Sequence, residues 1–237
     1  MFDIRNFINS KIETYPWRHQ IIENFFNDSD FKEIETTCKK LLEHYKGMPI
    51  TGHDCLTIGQ VYDIIGDKAF KIIMESNRVL LDNFDDVISN FPNHRKFSKY
   101  FCIPTFHILP ENYGPQKIHD EAYDKTASLV VYLYPETSVG TALFKTEKQE
   151  SFVHELEWKQ NRAMLFCGEE NVTWHDFYSK DNPRVTLNYF FREIKSNMIA
   201  DNDNYVYFKD VDGPKALLPK SLPKDIIDYL TSGALLK

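Results

Sequence analysis

Between Tyr100 and Glu193 the chain is written almost entirely in short runs of β-branched and aromatic residues: YFCIPTFHIL, TASLVVYLY, TALFK, FVHELEW, RAMLFC and RVTLNYFFRE. Turn formers in LPENYGP, PETSVG and SKDNP separate them, so successive runs can double back on one another. Residues i and i+2 of a strand share a face while i+1 points away. In RVTLNYFF this rule sets Arg184, Thr186 and Asn188 on one face, and Val185, Leu187, Tyr189 and Phe191 on the other. ASLVVYLY repeats the division, with Ser128, Val130 and Tyr132 opposed to Leu129, Val131 and Leu133. A set of strands with one greasy and one polar face predicts an antiparallel sandwich or barrel.

The chain before Tyr100 has a different period. RHQIIENFF reads as a short strand, and NDSD then offers N-cap residues for a helix from about Phe31 to Tyr45. Phe31, Ile34, Cys38, Leu41, Leu42 and Tyr45 give that helix one apolar stripe. A second helix is predicted from about Asp67 to Ile88, through Phe70, Ile73, Leu80, Leu81, Phe84 and Ile88. Helices followed by strands indicate an α+β, mainly β class with the helices packed on one face. No repeat and no Pro/Gly/Ser-rich linker divides the chain. The expectation is one domain over residues 1–195, with helical support over about 30–90 and a β core over about 100–193. A polar C-terminal extension, 196–237, follows and ends in a short helix from near Ser221.

A formal net charge of −7 carries no basic footprint of the kind that neutralises phosphates, which disfavours nucleic acid as a partner. The first residues lack the apolar core of a signal peptide, and no segment approaches the roughly 20 apolar residues of a membrane span. A cytoplasmic protein is expected, without membrane contact. Cys38, Cys55, Cys102 and Cys167 are widely spaced, so neither a zinc knuckle nor a disulfide framework is indicated, and they read as buried or half-buried thiols.

Chemistry concentrates in two stretches. KIHDEAYDKTASLVVYLYPE places His119, Asp120 and Glu121 before a strand, with His119 and Glu121 on one face and Asp120 opposed. WHDFYSKDNPRVT places His175 ahead of Arg184. Two histidines and one carboxylate are the ligand set of the facial triad that holds non-haem Fe(II) with open positions. An arginine deeper in the same barrel can grip a carboxylate with its planar fork. The plainer reading makes these ordinary loop and core residues. His107 and His154 lack the matching partners and read as structural; Trp158, Trp174, Phe190 and Phe191 read as core, with Trp174 an alternative pocket wall. Asn112 and Tyr113 are candidates for the lip of the site, and Lys145, Glu147 and Lys148 for a solvated hairpin.

Taken in order, HDE at His119 to Glu121, VYL with Tyr132, RAMLFC leading to His175, and PRVT with Arg184 and Thr186 resemble the 2-oxoglutarate- and Fe(II)-dependent oxygenases of the prolyl-hydroxylase-like branch. YPWRHQIIENFFNDSDF is similar to the first strand and helix of that branch, so the resemblance covers roughly Pro16 to Glu193. It implies a double-stranded β-helix, or jelly roll. It implies iron on His119, Glu121 and His175. It also implies 2-oxoglutarate anchored by Arg184 with help from Thr186 and Tyr132, and Ser128 lining the same pocket. The family usually has aspartate where this chain has Glu121; Asp120 is the alternative ligand if a bulge turns the chain. The implied activity couples oxidative decarboxylation of 2-oxoglutarate by O2 to hydroxylation of a C–H bond, in a prolyl or other residue of a peptide or in a small metabolite. Ascorbate enters at most as an accessory. Two other readings stay open: a cupin-like metal enzyme of different chemistry, and a non-catalytic jelly-roll binding protein.

Overall fold

The computed structural model describes residues 4–51, 55–95, 100–121, 123, 125–193, 205–207 and 217–219. After α1 (Ile4–Ile8), the strands β1 (Lys11–Glu13) and β2 (His19–Ile22) lead into the helix α2 (Asp28–His44). The side chain of Asn27 caps α2 by accepting from the Asp30 amide at 3.0 Å, and Asp28 and Asp30 place negative charge in its first turn. Ile34, Cys38 and Leu41 form its buried stripe, as the sequence predicts.

The second helix differs from expectation at both ends. After β3 (Leu56–Thr57), α3 runs from Tyr62 to Asp82, earlier than predicted, with a break at Gly66, where a φ of 76° suits glycine. A separate helix α4 (Phe84–Ile88) follows. Asn83 makes the division: its side-chain amide donates to the Val79 carbonyl at 2.8 Å, satisfying a group at the end of α3 and closing that helix.

The remaining strands are β4 (Tyr100–Leu109), β5 (Lys125–Tyr134), β6 (Ala142–Phe144), β7 (Phe152–Glu155), β8 (Ala163–Cys167), β9 (His175–Asp176) and β10 (Arg184–Glu193). They form an antiparallel seven-stranded sheet ordered β1-β2-β8-β5-β10-β4-β3 and a three-stranded sheet ordered β7-β6-β9. Two more strands, β11 (Tyr205–Tyr207) and β12 (Leu217–Pro219), pair with each other; the helix expected from near Ser221 lies outside the described residues.

The two faces of the large sheet separate as the alternation requires. Leu129, Val131, Leu133, Val185, Leu187, Tyr189 and Phe191 join Ile34, Cys38, Leu41, Phe70 and Ile73 in one buried cluster beneath α2 and α3. Each fully buried Leu, Ile or Phe contributes about 1.5–3 kcal/mol, so this packing, more than helix propensity, holds the helices down. Two buried polar ties fix their position: the hydroxyls of Ser76 and Tyr189 meet at 2.6 Å, and Asn77 donates to the Cys102 carbonyl at 3.1 Å. On the opposite face Met164 and Phe166 pack with Trp17, Leu143 and Leu156, joining the two sheets. The four cysteines are free, three of them buried. Among the described residues no helix is long and apolar enough to cross a membrane.

Candidate functional site

The site begins with a backbone pairing. His119 precedes β5 and His175 opens β9, and the two residues form an isolated antiparallel bridge. Their imidazole centroids stand 4.4 Å apart. Each ring is oriented in the same way: His119 Nδ1 faces the Lys117 carbonyl at 2.9 Å, and His175 Nδ1 faces the Thr173 carbonyl at 2.8 Å. A carbonyl only accepts, so Nδ1 carries the proton and Nε2 of the neutral ring keeps its lone pair. Burial, then the neighbouring His119, pushes the His175 pKa down to about 3, which keeps that ring neutral.

Both histidines line a cavity of about 300 Å³ on the polar face of the large sheet. From β10 it takes Arg184, Thr186, Asn188, Phe190 and Arg192, the alternating set that begins with the three polar positions read from RVTLNYFF. Arg184 is only 3% exposed. Its guanidinium lies over the rings of Trp158 at 5.1 Å and Tyr132 at 5.6 Å, and Nη1 donates to the carbonyls of Tyr178 at 3.2 Å and Gly140 at 3.4 Å. Among the described residues no carboxylate pairs with it. Desolvation lowers its pKa, the mark of a buried cation short of counter-charge.

Glu121 also lines the cavity and is buried, while Asp120 points elsewhere and accepts from the Asn171 amide at 2.9 Å. Lys125 Nζ lies 2.7 Å from Glu121 Oε2. Burial opposes ionisation of that carboxyl, but the Lys125 ammonium, with His175, outweighs it and holds the pKa at about 2. For a facial-triad metal the two imidazoles therefore fit in tautomer and placement. Glu121 fits in chemistry and location, with Lys125 as its present partner; among the described residues no three His, Cys, Asp or Glu side chains converge on one point.

Of the other expected residues, Thr186 is on the cavity wall. Tyr132 stands behind it: its hydroxyl donates to Thr141 Oγ1 at 2.9 Å and accepts from the Thr141 amide at 3.1 Å, and Thr141 itself faces the cavity. Ser128 is fully buried outside the lining. Trp174 packs against Ile118, Ala142 and Phe144 instead of forming a cavity wall. Asn112 is exposed, and the Tyr113 hydroxyl accepts from Gln116, which does line the cavity.

Sequence reasoning missed His107, Phe190 and Lys125, all on the cavity wall. His107 could have been found from its parity with Leu109, had the pairing of Thr186 with His107 been known. Lys125 has the parity of Leu129 and belongs by alternation on the helix side. A register shift opposite Phe191 and Arg192, which pairs Lys125 with Arg192, turns it to the cavity.

No family model and no curated protein matches the sequence. Solved structures do. A prolyl hydroxylase from Trichoplax adhaerens, in complex with a peptide fragment of the hypoxia inducible factor oxygen degradation domain, aligns with a TM-score of 0.55 at 14% identity, over 78% of this chain and 87% of its own. A prolyl 4-hydroxylase from Phytophthora capsici gives 0.54 at 13% identity, over 85% and 73%. The non-haem α-ketoglutarate-dependent epimerase SnoN of nogalamycin biosynthesis gives 0.51 at 9% identity, over 74% and 76%. At these identities the likeness shows a shared fold, that of the prolyl-hydroxylase-like 2-oxoglutarate oxygenases.

Proposed function

We propose that this chain is a non-haem Fe(II)- and 2-oxoglutarate-dependent oxygenase, with its two sheets as the halves of a double-stranded β-helix and residues 1–195 as one catalytic domain. His119, His175 and Glu121 would hold the metal. With 2-oxoglutarate and O2 it supplies oxidative decarboxylation coupled to hydroxylation of a C–H bond, on a peptide residue or a small molecule.

The chain's own residues prepare that chemistry. The backbone carbonyls of Lys117 and Thr173 fix both imidazoles with Nε2 free. Arg184 offers the distal carboxylate of 2-oxoglutarate a buried, bidentate partner, and Thr186 adds a hydroxyl beside it. Tyr132 positions rather than touches: it fixes Thr141 and backs the guanidinium. Met164, Phe166 and Phe177 dry the walls, so the Arg184 charge acts in a low dielectric. The observation that carries this reading is the His119–His175 bridge facing the same cavity as a buried arginine that has no carboxylate partner among the described residues.

One observation favours a second reading, a jelly-roll binding protein without metal: Glu121 is already neutralised by Lys125. Anaerobic titration separates the two. Fe(II) followed by 2-oxoglutarate should give the visible charge-transfer absorption of a chelated complex, and Arg184→Ala should abolish it at modest co-substrate levels. Iron binding without that absorption would favour a cupin-like enzyme, and no iron binding at all would favour the binding protein.

A further inference from the structure

We propose that Lys125 is the metal's internal rival for Glu121: its ammonium occupies the carboxylate and has to give up Oε2 when the ion binds, which sets metal affinity below what two imidazoles and a carboxylate alone would give. The inference rests on the oxygenase reading above. It makes the Lys125 contact a property of that site instead of an obstacle to it.

The pair is placed by the main chain, and only one of its members has room to move. Lys125 reaches the cavity through the register irregularity opposite Phe191 and Arg192, and its Nζ stands 2.7 Å from Glu121 Oε2. Arg95 Nη1 donates to the backbone carbonyls of both residues at 3.4 Å, which fixes their relative position. A Cβ on Gly168 would meet Glu121 Cβ at 3.1 Å, and the Glu121 side chain is 3% exposed against 13% for Lys125. The carboxylate stem is therefore packed in place. The lysine, on a flexible four-carbon stem, is the partner that yields.

A second seat for the ammonium is already built. While it touches Glu121, Nζ also lies 4.0 Å from the Phe190 centroid, within cation–π range. The His107 ring is 5.8 Å from that of Phe190, and Asn188 lies two residues before Phe190 on the same face of β10. Asn188 Oδ1 and His107 Nε2 are buried on this cavity wall and have no hydrogen-bond partner among the described residues. An amide oxygen accepts, as does the bare nitrogen of a neutral imidazole, and an ammonium has three donors to give. A buried ion pair gains little beyond its own desolvation cost, so Glu121 can exchange one cation for another. An ammonium that stayed beside the ion would repel it: at an effective dielectric constant of about 20, that repulsion over a few ångströms outweighs a factor of ten in affinity.

The test titrates Mn(II) alone into the full chain by anaerobic isothermal calorimetry, with folding checked by circular dichroism. Lys125→Met, which keeps the length and removes the charge, should bind Mn(II) about tenfold or more tightly than the parent, and Lys125→Arg should stay within about threefold of it. Adding His175→Ala to Lys125→Met should abolish the gain, which places the ion at this site. Equal or weaker binding in a folded Lys125→Met makes the lysine an orienting or structural partner of Glu121 and overturns the rivalry alone. A gain that is as large in Lys125→Arg, or that survives His175→Ala, overturns it too. Lys125→Met leaves a buried carboxylate unpaired, so a measurement on the parent covers the case of an unfolded variant. With isotope-labelled lysine, the Lys125 Cε–H resonance, assigned by its loss in Lys125→Arg, should shift on saturation with Zn(II), and a stationary resonance overturns the rivalry. Absence of Mn(II) binding from the parent and from a folded Lys125→Met alike overturns the oxygenase reading first, and the rivalry with it.

Discussion

His119 and His175 exchange both of their backbone hydrogen bonds, at 3.1 Å and 2.9 Å, so main chain rather than side chain holds two distant segments together at the site. Removing either imidazole leaves that bridge intact. His119→Ala and His175→Ala should therefore keep melting temperatures within several degrees of the parent. Both should lose Fe(II) or Mn(II) affinity by at least about 100-fold, read by anaerobic isothermal titration. Retained affinity in both would remove these residues from the metal site.

Arg184 is a buried cation held by two carbonyls and two aromatic faces. Taking such a charge out of water costs several kcal/mol, and carbonyl dipoles offset it only in part. Arg184→Met should accordingly leave the melting temperature unchanged or raise it, while weakening 2-oxoglutarate by about 100-fold or more. Calorimetric melting and co-substrate titration on one preparation check both halves. A large stability loss with unchanged 2-oxoglutarate affinity would make Arg184 structural.

Much of the site is local in sequence, and that part was legible. The alternation in RVTLNYFF and ASLVVYLY assigned Arg184, Thr186 and Leu187 to their faces because a pleated strand has a period of two whatever it pairs with. The cap residues in NDSD marked the start of α2 for the same local reason, although the helix begins at Asp28, three residues before the expected Phe31. What depends on pairing was not legible. His107 joins the cavity only through its register with Thr186, and Lys125 only through an irregularity opposite Arg192. The split between α3 and α4 turned on whether Asn83 would bond its own helix, a choice the apolar periodicity does not encode.

Gly140 packs directly against the backbone of Leu156. A Cβ built there would stand 1.8 Å from the Leu156 carbonyl oxygen, which is backbone and cannot swing aside. The Gly140 carbonyl also accepts from Arg184, and the neighbouring Thr141 carries the Tyr132 hydroxyl bond. Gly140→Ala should destabilise the fold by about 1–3 kcal/mol, as overpacking does, measured by urea denaturation. It should also weaken 2-oxoglutarate binding, because the displaced backbone carries the arginine with it. A variant as stable as the parent would mean that the loop is free to retreat.

His19 provides the pH prediction. It is fully buried in β2, with Nδ1 donating to the Trp17 carbonyl at 3.0 Å, and burial lowers its pKa below the ordinary 6.5 despite that bond. The unfolded ring takes up a proton as pH falls through about 6.5 while the native ring does not. Its contribution to stability is thus complete above 6.5 and declines on acidification, by up to about 1.4 kcal/mol per pH unit until the native ring also titrates. His107 and His175, each near 3, act with the same sign over a wider window. Urea denaturation at pH 7, 6 and 5 should show falling stability in the parent. His19→Leu should fall less steeply between pH 6 and 5, whatever its stability at pH 7. Identical slopes in the two proteins would show that the native ring takes up its proton as readily as the unfolded one.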